Sequence, residues 1–372
     1  MKMGNIQVQI DSTYPPTHTY SVDPKRFLEP SKVLAERERI RREHFPDFFS
    51  GARLLDVGCN KGYYSLVGAA SFGEVVGIDP QEKCVELCRQ VADQGHIANA
   101  RFQRCGFRDY WDREPFDKIF IGNGPHHLYR EIGSHDWVEK LAALSSSWVL
   151  IEGPLTRQCP CIKRAPERYP ADFDTFVPRM ERHFVMHKKV PSCRYTPQRF
   201  VVLWERRKLQ VYSGKLFRKA FRKDTYGNNT RVSVAIAAAS PISNKIVAWT
   251  DDGWAETYCP HRPYKMGENA AALYRRHCLH NAYLARLGYI DIDSATINFF
   301  TKTDVYFDKS AVIPIALITE KHVEAYFMLR DRSFGEEIAG DEGLRSRIST
   351  ALKSKEPSQI EEAFKWASRY GL

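Results

Sequence analysis

The strongest chemical signal in the chain is the string Leu55-Asp56-Val57-Gly58-Cys59-Asn60-Lys61-Gly62. An apolar strand that turns at once into a helix needs glycine wherever a Cβ would block the turn or a ligand's approach to the backbone. Gly58 and Gly62 meet that need. About twenty residues after Gly58, Asp79 closes a second apolar run, where a carboxylate can accept two hydrogen bonds from a ribose diol. A glycine turn with a strand-end acid also describes a nicotinamide-dinucleotide site. That fingerprint is GxGxxG, however, whereas this turn is DxGxxxG with an acid inside the strand. A third string, Ile121-Gly122-Asn123-Gly124-Pro125-His126-His127-Leu128, carries two histidines. Either could accept a proton from a neutral hydroxyl or amine, and one of the two is expected to act. An acceptor that is already an anion needs no base, and the pair would then bind negative charge. Arg157, Lys163 and Arg164 follow the fifth strand-like run and could hold an anionic acceptor at the same rim.

The turn and Asp79 resemble motif I and the post-motif acid of the class I S-adenosylmethionine-dependent methyltransferases. The resemblance implies that Asp56, Gly58, Cys59, Asn60 and Gly62 line the pocket for the amino-acid part of the cofactor. It implies too that Asp79 binds the ribose, that Cys105, Gly106 and Phe107 wall the adenine, and that Asn123 completes the cofactor set. His126 and His127 would be the catalytic pair. Asn123-Gly124-Pro125 departs from the N-P-P-Y signature of amino-group methylation, which speaks against a DNA adenine target. Within the family, the string is similar to two groups: enzymes that modify the wobble uridine of transfer RNA, and bifunctional kinase-methyltransferases that cap bacterial O-antigen polysaccharide. The likeness covers residues 50–155 well and 155–205 loosely. It implies O-methylation of an anionic, phosphate- or sugar-containing acceptor such as a phosphorylated glycan. The alternatives are an RNA-modifying methyltransferase, a bifunctional methyltransferase-kinase and a non-enzymatic cofactor-binding scaffold.

Short apolar strands alternate with helices from Arg53 to about Glu205, which predicts an α/β fold with a doubly wound, Rossmann-like sheet. Segments 183–189 and 200–204 would close it as an antiparallel pair. Ahead of it, apolar residues at near-helical spacing in an Arg-rich stretch predict an amphipathic helix within 24–46, laid across the entrance of the next domain. The expected division is an N-terminal arm and helix over 1–46, the methyltransferase domain over 47–207, and a smaller α+β accessory domain over 208–372. In the last part, strands are expected at 232–238, 245–249, 298–300 and 305–307, with a helix over 268–287.

Asp293, Asn298 and Asp308 are spaced like the catalytic Asp, the Asn and the later metal-binding Asp of a kinase loop, with Asn298 and Asp308 the metal ligands on that pattern. Asp291 and Ile292 stand where a kinase has its histidine motif, and Lys309-Ser310 replace Phe-Gly. The accessory domain is therefore an active kinase, a degenerate kinase-like module or an unrelated substrate-binding or assembly domain. No metal is otherwise expected, because Cys159, Cys161 and Cys193 lack a second ligand pair at zinc spacing.

The 372 residues are 43% hydrophobic and 27% charged, the balance of a globular protein with more than one core. No apolar run is long enough to span a bilayer, and residues 1–16 lack an apolar export segment. With nine cysteines read as reduced thiols, the expected location is the cytoplasm. The net charge is +10, and a run from Arg206 to Lys223 contains eight basic residues and no acid. It could face a phosphate-bearing partner, or it could be a solvated face.

Overall fold

The computed structural model describes residues 32–122, 124–163, 169, 171–192 and 198–207. Beyond these it describes 216–220, 223–224, 227–228, 230–240, 246–249, 253–257, 262–263, 270–292, 297–300, 305–307, 312–334 and 341–369. The chain forms two compact units. One comprises Met1–Phe107, Phe116–Val138 and Ser145–Arg207, and the other Arg108–Pro115, Glu139–Leu144 and Lys208–Leu372.

The first unit is built on β1 (Gly51–Val57), β2 (Phe72–Asp79), β3 (Ala100–Arg104), β4 (Phe116–Ile121), β5 (Ser145–Pro154), β6 (Phe184–Pro191) and β7 (Arg199–Arg206). These form one sheet in the order β3-β2-β1-β4-β5-β7-β6. β1 to β5 run parallel, and β7 is antiparallel to both β5 and β6. This is the doubly wound, Rossmann-like sheet that the alternation of strands and helices predicts. Its central strands are largely apolar because both faces are covered. Leu54, Leu55, Val75, Val76, Ile119 and Leu150 are all buried. The strand order reverses between β1 and β4, so the crevice beyond their carboxyl ends is the natural ligand position.

The helices of this unit include α1 (Lys32–His44), α2 (Tyr63–Gly68), α3 (Glu82–Gln94), α4 (Pro125–Ile132) and the start of α5 (Trp137–Leu144). The predicted N-terminal helix is present as α1, and residues 24–31 lie outside the described residues. After α1, Phe45 and Phe48 pack on Leu54, Phe72 and Phe120, which fixes the helix to one face of the sheet. α3 buries Cys84, Val85, Leu87, Cys88 and Ala92, an i, i+3, i+4 stripe, and all but Cys84 cluster with Phe102 of β3. α4 begins on Pro125 and ends at Gly133 in the left-handed conformation, the favoured residue at each end.

In the second unit, helices Ala270–Arg286, Glu320–Phe334, Glu342–Ser354 and Pro357–Ala367 share a core that includes Cys278, Ile290, Tyr326, Ile348 and Phe364. Strand Tyr289–Asp291 pairs with Val312–Pro314, and Ile297–Phe300 pairs with Val305–Phe307. Lys140 is fully buried, and its Nζ donates to Arg108 O at 2.6 Å and Leu287 O at 2.7 Å. One expectation fails here: 232–238 is not a strand but part of helix Arg231–Ala239. Thr230 caps it, exchanging hydrogen bonds with Ser233, and the alanines among its valines favour the helix.

Candidate active site

β1 ends at Val57, and three of the next five residues take positive φ: Gly58 at 70°, Asn60 at 51° and Gly62 at 75°. The amides of Gly58 and Cys59 both donate to Ile78 O at 2.9 Å, tying the turn to β2. The two glycines serve different ends. A Cβ on Gly58 would meet nothing within 4 Å, so its bare backbone faces open space. A Cβ on Gly62 would lie 2.7 Å from Cys88 Sγ and 3.1 Å from the Phe102 ring, so Gly62 lets α2 close against α3 and β3. The Cys59 and Cys88 thiols both donate to Asn60 O, which braces the turn from behind.

Asp79 lies beside the turn. Its Oδ2 accepts from Asn60 N and its Oδ1 from Gln81 N, each at 2.9 Å. Each carboxylate oxygen keeps a further lone pair for a ligand. Burial raises the Asp79 pKa, and the two backbone bonds oppose that rise. Asp56 is buried more deeply and accepts from Ser65 Oγ at 2.6 Å. Desolvation pushes its pKa up to about 7 against the opposing influence of Ser65 and Arg41. Beyond β3, the Cys105 amide donates to Asp79 O at 3.1 Å. Cys105 and Gly106 are half-buried, Phe107 is buried, and the Glu131 carboxylate occupies the place a Gly106 Cβ would need.

Beyond β4, Asn123 lies outside the described residues, and Gly124 N donates to Glu152 O at 3.2 Å. His126 and His127 open α4 with ring centroids 4.1 Å apart, and Tyr169 lies 6.3 Å from His126. Desolvation, helped by the charges of His127, Arg199 and Arg130, drives the His126 pKa down to about 2. His126 is therefore a buried neutral ring, whereas His127 is exposed. Arg157 pairs with Asp174 at 3.1 Å, so its charge is already matched. Arg164 lies outside the described residues, as do Asp293 and Asp308, while Asn298 falls on strand Ile297–Phe300.

One feature of the site was missed from sequence. Arg41 of α1 is buried against Glu152 at the end of β5, and Arg37 Nε lies 3.2 Å from the same carboxylate. The signal was there: a lone acid in the apolar strand Trp148-Val149-Leu150-Ile151-Glu152 demands a cation.

Residues 48–133 match a family model described as a methyltransferase domain. This segment is a methyltransferase domain. The chain is 28% identical over 108 residues to the 23S rRNA (uracil(1939)-C(5))-methyltransferase RlmD of Vibrio campbellii, covering 28% of this chain and 25% of that relative. It is 32% identical over 93 residues to a probable cobalt-precorrin-6B C(15)-methyltransferase of Saccharolobus solfataricus, covering 23% of this chain and 46% of the relative. The chain thus spans between a quarter and a half of the length of these curated relatives. Among solved structures, the N-methyltransferase NodS from Bradyrhizobium japonicum WM9 superposes with a TM-score of 0.38 at 11% identity, over 46% of this chain and 97% of that one. Magnesium protoporphyrin IX methyltransferase from Synechocystis, with S-adenosylmethionine bound, gives 0.36 at 16% identity over 50% and 90%. S-adenosylmethionine is the cofactor of the methyltransferase domain, and the residues present suit it. Gly58 leaves a cradle that a Cβ would fill, and both Asp79 oxygens retain acceptor capacity. Among the described residues, no helix is long and apolar enough to cross a membrane.

Proposed function

We propose that this chain transfers a methyl group from S-adenosylmethionine to an anionic acceptor, a phosphate- or sugar-containing group such as a phosphorylated glycan end. The observation that carries the proposal is the cationic surround of the histidine pair. Arg130 and Arg199 both act on His126 at the carboxyl end of β4. Fixed positive charge at the mouth of a site draws and orients an anion.

The bound cofactor supplies an electrophilic methyl group. Asp79 holds its ribose, the turn from Gly58 to Gly62 receives its amino-acid part, and Cys105 to Phe107 flank its base. Protonating a ring with a pKa of about 2 at neutral pH costs on the order of 7 kcal/mol, so His126 shapes the site without accepting a proton. If the acceptor is a neutral hydroxyl, His127 is the base; if it is a phosphate oxygen, none is needed. His127→Gln would then lower turnover by roughly 10²-fold or more on a hydroxyl acceptor and leave a phosphate acceptor nearly unaffected. The nine cysteines, read as reduced thiols, suit a reducing compartment such as the cytoplasm.

An RNA acceptor is the second reading, favoured by the likeness to an rRNA methyltransferase and by the basic run after Arg206. Labelled-methyl transfer to phosphorylated glycan, to the same glycan after phosphatase treatment, and to RNA tests the choice. Loss of transfer on dephosphorylation supports the first reading. Transfer to RNA alone, with affinity falling steeply in salt, replaces it with the second. A kinase-like second activity rests on Asp293, Asn298 and Asp308 in sequence, and ATP titration with magnesium checks it.

A further inference from the structure

Arg37 and Arg41 stand one turn apart on α1, and both reach Glu152: Arg41 Nη2 donates to Oε2, and Arg37 Nε lies 3.2 Å from Oε1. Side-chain exposure is 1% for Arg41, 16% for Arg37 and 0% for Glu152. This cluster is unbalanced in two ways. Two guanidinium charges face one carboxylate, and the neighbouring acid, Asp56, is only partly ionised at neutral pH. Arg41 Nε and Nη1, together with the Tyr64 hydroxyl, are also buried without a hydrogen-bond partner. The Arg41 guanidinium lies 4.3 Å from the centre of the Tyr64 ring. Glu38 Oε1 takes Arg42 Nε at 2.5 Å, and Glu38 Oε2 and Glu152 Oε1 are buried acceptors that make no hydrogen bond to these donors. Buried donors without acceptors are rare in folded proteins, and a buried cation in excess is costly. Both deficits have the same remedy: one negative charge carried on two or more acceptor oxygens.

We propose that Arg41, with Arg37 and the Tyr64 hydroxyl, receives an oxyanion, carboxylate or phosphate, beside the glycine turn. The proposal rests on the methyltransferase reading given above. Two sources carry that chemistry: the α-carboxylate of the cofactor and the anionic group of the acceptor. A guanidinium suits either, because its planar fork donates to two oxygens at once. On this view α1 is part of the binding site and not only a cover for the sheet.

The test is titration calorimetry on the full chain with S-adenosylmethionine, its decarboxylated analogue and inorganic phosphate. Arg41→Lys keeps a cation against Glu152 but removes the fork, and Tyr64→Phe removes only the hydroxyl. Thermal melts check that both variants fold. If the cofactor supplies the oxyanion, wild type binds the decarboxylated analogue at least tenfold more weakly than the parent, and both variants narrow that gap. If the acceptor supplies it, the gap is unchanged and phosphate affinity falls about tenfold in Arg41→Lys. Folded variants that alter neither quantity overturn the proposal. A wild type that does not bind S-adenosylmethionine refutes the methyltransferase reading instead, and the phosphate titration then decides the oxyanion question by itself.

Discussion

Replacing Asp79 with Asn looks conservative and is not. Both carboxylate oxygens already accept a backbone amide, from Asn60 and Gln81, at 2.9 Å. An amide side chain has a single oxygen, so in either orientation its Nδ2 faces a backbone N–H. One hydrogen bond to a charged acceptor is lost, worth about 1.5–3 kcal/mol. Relief from holding a raised-pKa carboxylate in a buried place offsets part of this. The net loss of stability should be about 1–2 kcal/mol, a fall of a few degrees in Tm. Cofactor binding should suffer more. The ribose diol would exchange a charged acceptor for a neutral one whose remaining lone pairs are shared, a loss of about 2–3 kcal/mol, or roughly 30- to 150-fold in Kd. Calorimetry with S-adenosylmethionine, paired with a thermal melt of the same sample, measures both. A folded Asp79→Asn protein that binds within threefold of wild type would refute the ribose assignment.

The two glycines of the turn should separate in the same pair of assays. Gly58→Ala bears the left-handed backbone cost of roughly 1–2 kcal/mol and should weaken cofactor binding more than tenfold. Gly62→Ala adds a collision with Cys88 and should show its main effect in Tm. Asp56 predicts a pH dependence of the ligand-free protein. Its carboxyl titrates near 7 when folded and near 4 when unfolded, so the native state holds the extra proton between those values. Stability should therefore fall as pH rises from about 4 to about 7, and Asp56→Asn should lose that slope; urea titrations at several pH values would show a parallel variant if this is wrong. A chain cut after Arg207 removes Leu287 O, one of the two carbonyls that satisfy the buried Lys140 ammonium. Calorimetric scanning should find a transition that is broad or at least 10 °C lower, since breaking a buried charge's contacts costs about 3–5 kcal/mol. An unchanged transition would contradict it.

Much of the first unit was legible because its signals are local. The glycine turn, the acid at the end of β2 and the apolar strands each lie within a few residues of chain, and periodicity places them. The Val232-to-Ala238 segment misled because alternating valine and isoleucine carry the strand period while the alanines between them carry helix propensity. The deciding information was Thr230, a cap just outside the apolar run. The histidine pair could be located but not divided into roles. What separates His126 from His127 is burial and the nearby Arg130 and Arg199, one close in sequence and the other on a distant strand. Arg41 and Glu152 are far apart in the chain, and no periodic pattern joins them. Only the incongruity of each in its own element hinted that they meet.

The interleaving of the two units in sequence has a consequence for synthesis. Lys140 leaves the ribosome 147 residues before Leu287, in the unit that the later helices complete. At roughly 5–20 residues per second, that is a delay on the order of ten seconds. Through that interval the Lys140 ammonium must remain hydrated, so the half of α5 that carries it cannot settle into its final burial. The nascent chain therefore presents an unfinished apolar surface midway through the methyltransferase sheet, and translation speed or a chaperone held there should govern the yield of folded protein.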